Sequence, residues 1–475
     1  MVLFAATAAF AQQAPANFDE QAAKGTVVAN VVSPNDPSQS YALYLPSHYS
    51  RDRAWPIIYA FDPFARGKTA VEVFKDAAEK YGYIVVGSNN SKNGPGAAQL
   101  AAAQTVWLDT HRRFAIDKDR TYTTGLSGGA RVATTFALYC ATCNVAGVIA
   151  VGAGYPTIQS RTPPANERFL YYGIVGDADL NYPELMLLRR KKDQAGEQFS
   201  FRVYPGPHQW APPEIATEAV EWLELKAMQA GKEKTNPEFV RRMFEKIQVE
   251  AAEAGQRGDT LNQYFALRSL VEDFKGLEDA TVFQGQLAEM KNSKALKNAQ
   301  RSLDHEVEEQ SALTSTVGSE LAQIGAGPEA QLTAGGQVST ADAQAGLGRH
   351  IATVMSDLRR RAKSSSGDHL VYARAYSQLL IQGMEAGIDA LREGRVATAT
   401  AYFELMTEAA PDQAWPPLAL AEAQVRAGNK KAALKALELS IQHGLKHAQS
   451  LTQDPELQPL ASDPAFQRMV QSLNP

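Results

Sequence analysis

The chain is predicted to open with an α/β domain, a doubly wound and mainly parallel sheet of about eight strands, and to continue into an all-α region. Three observations predict this. From Gly25 to about Lys226 short β-rich runs alternate with helical stretches. From Ile57 onward those runs are almost continuously apolar, as strands covered on both faces must be. Beyond Gly231 the strands stop.

The β-rich runs are Thr26–Val32, Tyr41–Leu45, Ile57–Phe61, Ile84–Gly87, Thr121–Thr124, Val145–Val151, Phe169–Val175 and Phe199–Tyr204. Helical patterns fill Ala70–Tyr81, Ala97–Arg113, Ala130–Leu138 and Pro183–Gln194. No helix separates the first two runs, which predicts an antiparallel edge. Asp117 and Arg120, ahead of the fifth run, are expected to form a structural ion pair.

The remaining chain divides by composition. Residues 18–230 are assigned to the α/β domain and 231–310 to a charged, Ala- and Leu-rich helical region. Residues 311–348, rich in Gly, Ala, Ser, Thr and Gln, read as a low-complexity linker, and 349–475 as a helical domain. Inside that last segment Gly394 and Gly428 stand 34 residues apart, as do Ala399 and Ala433, and Phe403 matches Leu437 at the same interval. Small residues at the helix contacts and Pro411 closing the first unit make about Leu380–His447 resemble the tetratricopeptide repeat, although the large aromatic usual early in its first helix is absent. The resemblance implies a surface for a protein partner.

Composition excludes several function classes. With a net charge of −5 the chain has no basic footprint for nucleic acid. Beyond the first residues no stretch is apolar enough to span a bilayer, so no transmembrane segment is expected. Residues 1–17 are expected to be the remnant of a signal peptide and a short tail: Met1–Ala11 is apolar and small, ends in Ala9-Phe10-Ala11 and is followed by Gln12-Gln13, without a preceding Lys or Arg. Export to the periplasm or medium is the expectation. There the only two cysteines, Cys140 and Cys143, are candidates for a local disulfide. No metal-ligand spacing and no phosphate-binding loop occurs, so neither a metal nor another cofactor is expected.

The chemistry centres on Gly125-Leu126-Ser127-Gly128-Gly129, a Gly-x-Ser-x-Gly pattern between a β-rich run and a helix. A sharp turn there lifts the serine hydroxyl clear of the sheet, and small neighbours relieve the crowding. The turn also aims the first helical N–H groups at the reaction centre, so the Gly128 amide is a candidate oxyanion donor for attack by Ser127. A serine needs a base. Of His48, His111 and His208, only His208, in Tyr204-Pro-Gly-Pro-His-Gln-Trp210, follows the last strand where a loop can reach the serine. A carboxylate must orient that base. Asp177 and Asp179 both lie in the loop after Phe169–Val175. Asn89 and Asn90 in the loop Gly87–Gly94, and Trp210 beside His208, are candidate substrate contacts.

Residues 40–226 resemble the esterase branch of the α/β-hydrolases, similar to polyhydroxybutyrate-depolymerase-like and feruloyl- or acetyl-esterase-like proteins. The resemblance is carried by Gly125–Gly129, Gly176–Asp179 and His208. It implies the chain order Ser127, Asp179, His208 for the triad, because Gly176-x-x-Asp179 matches the esterase pattern. It also implies a second oxyanion donor in the loop after Ile57–Phe61. There the chain departs from the usual His-Gly: Pro63 has no N–H, which leaves the amides of Asp62 and Phe64. Implied overall is cofactor-free hydrolysis of carboxylic esters, small or polymer-linked, in an open cleft. Two alternatives stand beside it, a serine peptidase of the same fold and a repeat-based binding protein with a vestigial hydrolase domain.

Overall fold

Val, Ile, Tyr and Phe dominate the runs from Trp55 onward, and their burial on both faces drives them into the centre of one sheet. The computed structural model describes residues 23–94, 96–140, 142–156, 167–325 and 341–473. The expected signal-peptide remnant lies outside them. The strands are β1 (Val27–Ser33), β2 (Asp36–Tyr44), β3 (Trp55–Phe61), β4 (Ile84–Ser88), β5 (Ile116–Leu126), β6 (Val145–Val151), β7 (Leu170–Gly176) and β8 (Phe199–Tyr204). They form one eight-stranded sheet in the order β1-β2-β4-β3-β5-β6-β7-β8. β1 and β2 pair antiparallel, β2 meets β4 antiparallel, and every other pair is parallel.

Helices α1 (Gly67–Tyr81), α2 (Gly96–Arg113), α3 (Gly128–Tyr139) and α4 (Tyr182–Ala195) connect strands, α5 (Pro213–Gln229) follows β8, and together they cover both faces. One layer packs Phe61, Val86, Val148 and Phe136 together, the other Ile58, Phe74, Ile149 and Leu223. This is the doubly wound α/β-hydrolase architecture, in which parallel strands all deliver their carboxyl ends to one edge.

Two local details differ from expectation. β5 starts at Ile116, ahead of Thr121, because a register shift against β3 admits the polar stretch Asp117–Asp119. Arg120 does not pair with Asp117, whose carboxylate accepts the Asp119 amide at 2.9 Å. It is buried against Glu224 and Glu233, with the Tyr83 hydroxyl also on Glu224, and so clamps the start of β5 to α5. A single charged residue within one strand cannot reveal a carboxylate more than a hundred positions away.

The chain divides into two compact units, Met1–Asp304 and His305–Pro475. The first unit continues past the sheet through α6 (Pro237–Gln256), α7 (Thr260–Glu272) and α8 (Thr281–Asn292) into α9 (Lys294–Gly325), with Phe239, Phe244, Leu270 and Phe274 as a small core of their own. The stretch 311–348, expected to be a linker, is helical at both ends. α9 runs to Gly325 and α10 (Ala341–Ala362) begins at Ala341, with 326–340 outside the described residues. Val317 and Leu321 bury one stripe against Ile351 and Met355, which decides the matter over a composition poor in large apolar residues.

The second unit contains α11 (His369–Arg392), α12 (Val396–Ala409), α13 (Trp415–Arg426) and α14 (Lys430–Gln442). Its helix boundaries recur every 34 residues, with α11 and α13 ending, and α12 and α14 beginning, in register. Gly394 and Gly428, with φ of +78° and +76°, turn the two corners. At Gly387 a Cβ would lie 2.5 Å from the Phe403 ring, so only hydrogen lets α11 and α12 approach this closely.

Candidate active site

The site is built where β5 ends and α3 begins. Ser127 takes φ +54° and ψ −120°, a conformation that costs a non-glycine residue about 1–3 kcal/mol and persists only when its surroundings enforce it. They do. The Ser127 amide donates to the Val151 carbonyl at 2.8 Å, and the Ser127 carbonyl accepts the amides of Ala130 and Arg131 at 3.0 and 3.2 Å. A Cβ on Gly125 would lie 2.2 Å from the Gly129 carbonyl, and one on Gly129 would lie 2.0 Å from the Phe61 carbonyl. Both glycines of the pattern are therefore required by close backbone approach.

His208 sits in the loop between β8 and α5. Its Nδ1 lies 2.8 Å from Asp179 Oδ1, with the histidine side chain 11% exposed and the aspartate buried. A carboxylate only accepts, so Nδ1 carries the proton and Nε2 presents the lone pair. Asp179 Oδ1 also accepts the Asn181 amide at 2.8 Å. Asp177 has a different role: its Oδ1 accepts the Gly206 amide at 3.0 Å and so ties the acidic loop to the loop that carries the histidine. Burial, and next the carboxylates of Asp179 and Asp177, push the Tyr204 hydroxyl up to about 12, which keeps it neutral.

Val151–Gly152 joins these parts. Val151 receives the Ser127 amide, and at Gly152 a Cβ would lie 2.8 Å from Asp179 Oδ2 and 3.1 Å from His208 Nδ1. The Gly152 carbonyl accepts from Asn181 Nδ2 at 2.7 Å. Arg131 on α3 forms a two-pronged pair with Glu184 on α4 at 2.8 and 2.9 Å, and Glu184 accepts the Gly154 amide at 3.0 Å. The serine turn, the glycine loop and the acidic loop are thus braced against one another.

Facing the start of α3 is the loop after β3. Here the structure corrects one expectation, because the Phe64 amide donates to Asp62 Oδ1 at 2.8 Å and is not available to a substrate. The buried Asp62 carboxylate also receives Arg66 through two donors at 2.9 Å and Trp210 Nε1 at 2.8 Å. Its own amide lies 3.3 Å from the position a Gly129 Cβ would take. Trp210 is accordingly a core residue, packed edge-on against Phe74, rather than a pocket wall.

Asn89 and Asn90 are likewise engaged away from the serine. Asn89 Nδ2 donates to Ala29 O and Ser40 Oγ at 3.1 and 3.2 Å, and Asn90 exchanges bonds with Ser38 and Ser40, fixing the β1–β2 hairpin. The asparagine of that loop that does reach the site is Asn93. Its amide donates to Pro63 O at 2.8 Å, and its Oδ1 would lie 1.9 Å from a Cβ on Gly128. In the sequence nothing marks Asn93 beyond its place in the polar loop Gly87–Gly94.

The other histidines lie elsewhere. His48 is exposed near Trp55. His111 Nδ1 sits within 2.9 Å of Trp107 O, and burial lowers its pKa. Cys140 and Cys143 are joined in a disulfide at the end of α3. Among the described residues no three His, Cys, Asp or Glu side chains are grouped to hold a metal ion, and no helix is long and apolar enough to cross a membrane.

The fold and the serine turn define the class: this is an α/β-hydrolase fold with its candidate site at the carboxyl edge of the sheet. No family model matches the chain, and no curated protein does. Solved structures with a similar fold include S-formylglutathione hydrolase from Staphylococcus aureus, which is 14% identical over 42% of this chain and 96% of that one, with a TM-score of 0.33. A ferulic acid esterase is 17% identical over 41% of this chain and 94% of that one, with a TM-score of 0.34. An esterase from Pyrobaculum calidifontis is 11% identical over 42% and 85%, with a TM-score of 0.35.

Proposed function

We propose that the protein is an exported serine hydrolase that cleaves carboxylic esters through an acyl-enzyme. The observation that supports this is the 2.8 Å Asp179–His208 pair, together with a serine held at φ +54° between a strand and a helix, Val151 taking the serine amide and Gly152 lying against the pair. In this mechanism Ser127 Oγ attacks the ester carbonyl while His208 Nε2 takes its proton. Asp179 holds the imidazole in its Nδ1–H tautomer and stabilises the imidazolium that forms. The tetrahedral oxyanion is bound by the Gly128 amide and, with Phe64 engaged, by the Asp62 amide. Collapse breaks the ester bond, and His208 returns its proton to the leaving alkoxide. Water, deprotonated by the same histidine, then releases the acid and restores the serine.

Export is supported by the apolar, small-residue start of the chain and by the Cys140–Cys143 disulfide, which persists in an oxidising compartment. The 34-residue register of α11–α14 supports a tetratricopeptide-like surface for a protein partner.

The deciding experiment is hydrolysis of a short-chain nitrophenyl ester and of its matched anilide by wild type and Ser127→Ala. Ester turnover is expected to fall by about a thousandfold or more in the variant. Turnover that survives Ser127→Ala would remove the serine from the chemistry, and a preference for the anilide would make the protein a peptidase.

A further inference from the structure

A second cavity lies in the first unit, away from Ser127, Asp179 and His208. It is enclosed by α4, β8 and helices α5–α7 and has a volume of about 340 Å³, at the small end of ligand-sized sites. Aromatic side chains, Phe199, Phe201, Phe265 and Trp222 among them, share its walls with charged ones, the carboxylates of Glu218, Glu250 and Glu253 included. Arg189 also lines it; it is only 4% exposed, and its guanidinium stacks on the Phe265 ring at 4.0 Å.

What sets Arg189 apart is its lack of a counter-ion. The other basic side chains on this cavity are all paired. Arg202 meets Glu218 at 3.0 Å, Lys246 meets Glu218 at 2.9 Å, Arg257 meets Glu253 at 3.4 Å and Arg268 meets Asp193 at 2.9 Å. Among the described residues Arg189 has no carboxylate within 4.0 Å and donates no hydrogen bond. The two acids whose field reaches it are engaged elsewhere: Asp193 by Arg268 and Tyr264, and Asp259 by the amide and side chain of Asn262. Burial pushes the Arg189 pKa down to about 10, so it is still a cation at neutral pH. A buried, uncompensated guanidinium is costly, and a charge of that kind is normally answered by an anion. Stacking on Phe265 covers its face and leaves its planar N–H edge for a two-oxygen acceptor.

We infer that this cavity binds a small organic carboxylate, its carboxylate on Arg189 and its apolar body, about one aromatic ring in size, among Phe199, Phe201 and Phe265. The inference does not depend on the hydrolase reading.

The test titrates the full-length protein with sodium benzoate against sodium chloride of equal ionic strength, following heat of binding and thermal midpoint. Wild type is expected to bind saturably and to melt higher with benzoate. Arg189→Met is expected to bind at least tenfold more weakly, yet to melt no lower than wild type without benzoate, because it removes an unpaired buried charge. Arg189→Lys keeps the charge without the fork or the stacking, and is expected to weaken binding as well, which secures the test if the methionine variant fails to fold. His208→Ala is expected to bind as wild type does. The inference is overturned if wild type shows no saturable binding, if the Arg189 variants bind benzoate unchanged, or if binding is lost in His208→Ala, which would place the ligand in the catalytic cleft.

Discussion

Asp177 and Asp179 show how much two residues can change a role within one loop. Both are carboxylates at the end of β7, but one accepts the Gly206 amide and the other faces His208. Asp179→Asn is expected to lower kcat for ester hydrolysis by about 10³–10⁴-fold, because an amide can hold the imidazole in the wrong tautomer. Asp177→Asn is expected to cost less than about tenfold, since a neutral oxygen can still accept the Gly206 amide. Comparing kcat for the two variants at one pH checks the assignment. Asp62 is the residue whose importance lay furthest from view. It was legible as part of a loop, but not as the acceptor for Phe64, Arg66 and Trp210, since a bond from residue 62 to residue 210 leaves no local pattern. Asp62→Ala leaves the Trp210 N–H and the Arg66 guanidinium without that acceptor and is expected to destabilise the protein by about 2–4 kcal/mol, read from denaturant midpoints. The serine turn and the loops that carry His208 and the two aspartates were legible because each follows a strand end. Asn93 was not, because its role rests on where two loops meet.

At the scale of elements, the strands from β3 onward were legible because burial on both faces leaves unbroken apolar runs, and β6 and β8 begin and end where those runs do. The start of β5 is not legible for the converse reason: Asp117, Lys118, Asp119 and Arg120 carry charge there, Arg120 answered by Glu224 on α5, so the apolar criterion misses it. At the junction of β3, β5 and α3 the backbones approach closely. Gly129→Ala places a methyl 2.0 Å from the Phe61 carbonyl and must displace α3 or the loop that follows β3. It is expected to cost at least about 1–3 kcal/mol and to lower ester turnover with it, both measured on the purified variant. Gly129 is therefore a fold position and an activity position at once.

Across the whole molecule, the end of the sheet was legible from where the strands stop, and the 34-residue period from matched small residues, but the boundary between the two units was not, because α6–α8 belong to the first unit, which runs on to Asp304. The stretch expected to be a linker was not, because a few large apolar residues spaced along a polar sequence, Val317 and Leu321 with Leu313 and Ile324 beside them, carry its buried stripe. The helical unit carries its own pH dependence. Burial, and then the neighbouring carboxylates of Asp454 and Glu456, raise the Glu422 pKa to about 8 from an ordinary 4.5. Between those values the folded unit holds a proton that the unfolded chain has released, so its stability falls as pH rises from about 4.5 to 8. Glu422→Gln is expected to flatten that slope, and thermal midpoints at several pH values in that interval report it.

Glycines pack backbone against backbone at several strand ends of the sheet. Gly125 meets Gly129, Gly67 meets Gly87, and Gly176 meets the Gly206 carbonyl, each closer than a methyl group allows. These contacts serve the architecture whether or not any reaction takes place. Were a descendant of this chain to lose its chemistry, Ser127 could drift to other residues while those glycines were kept. In such a lineage the glycines would outlast the serine, and they would be the more durable record of ancestry.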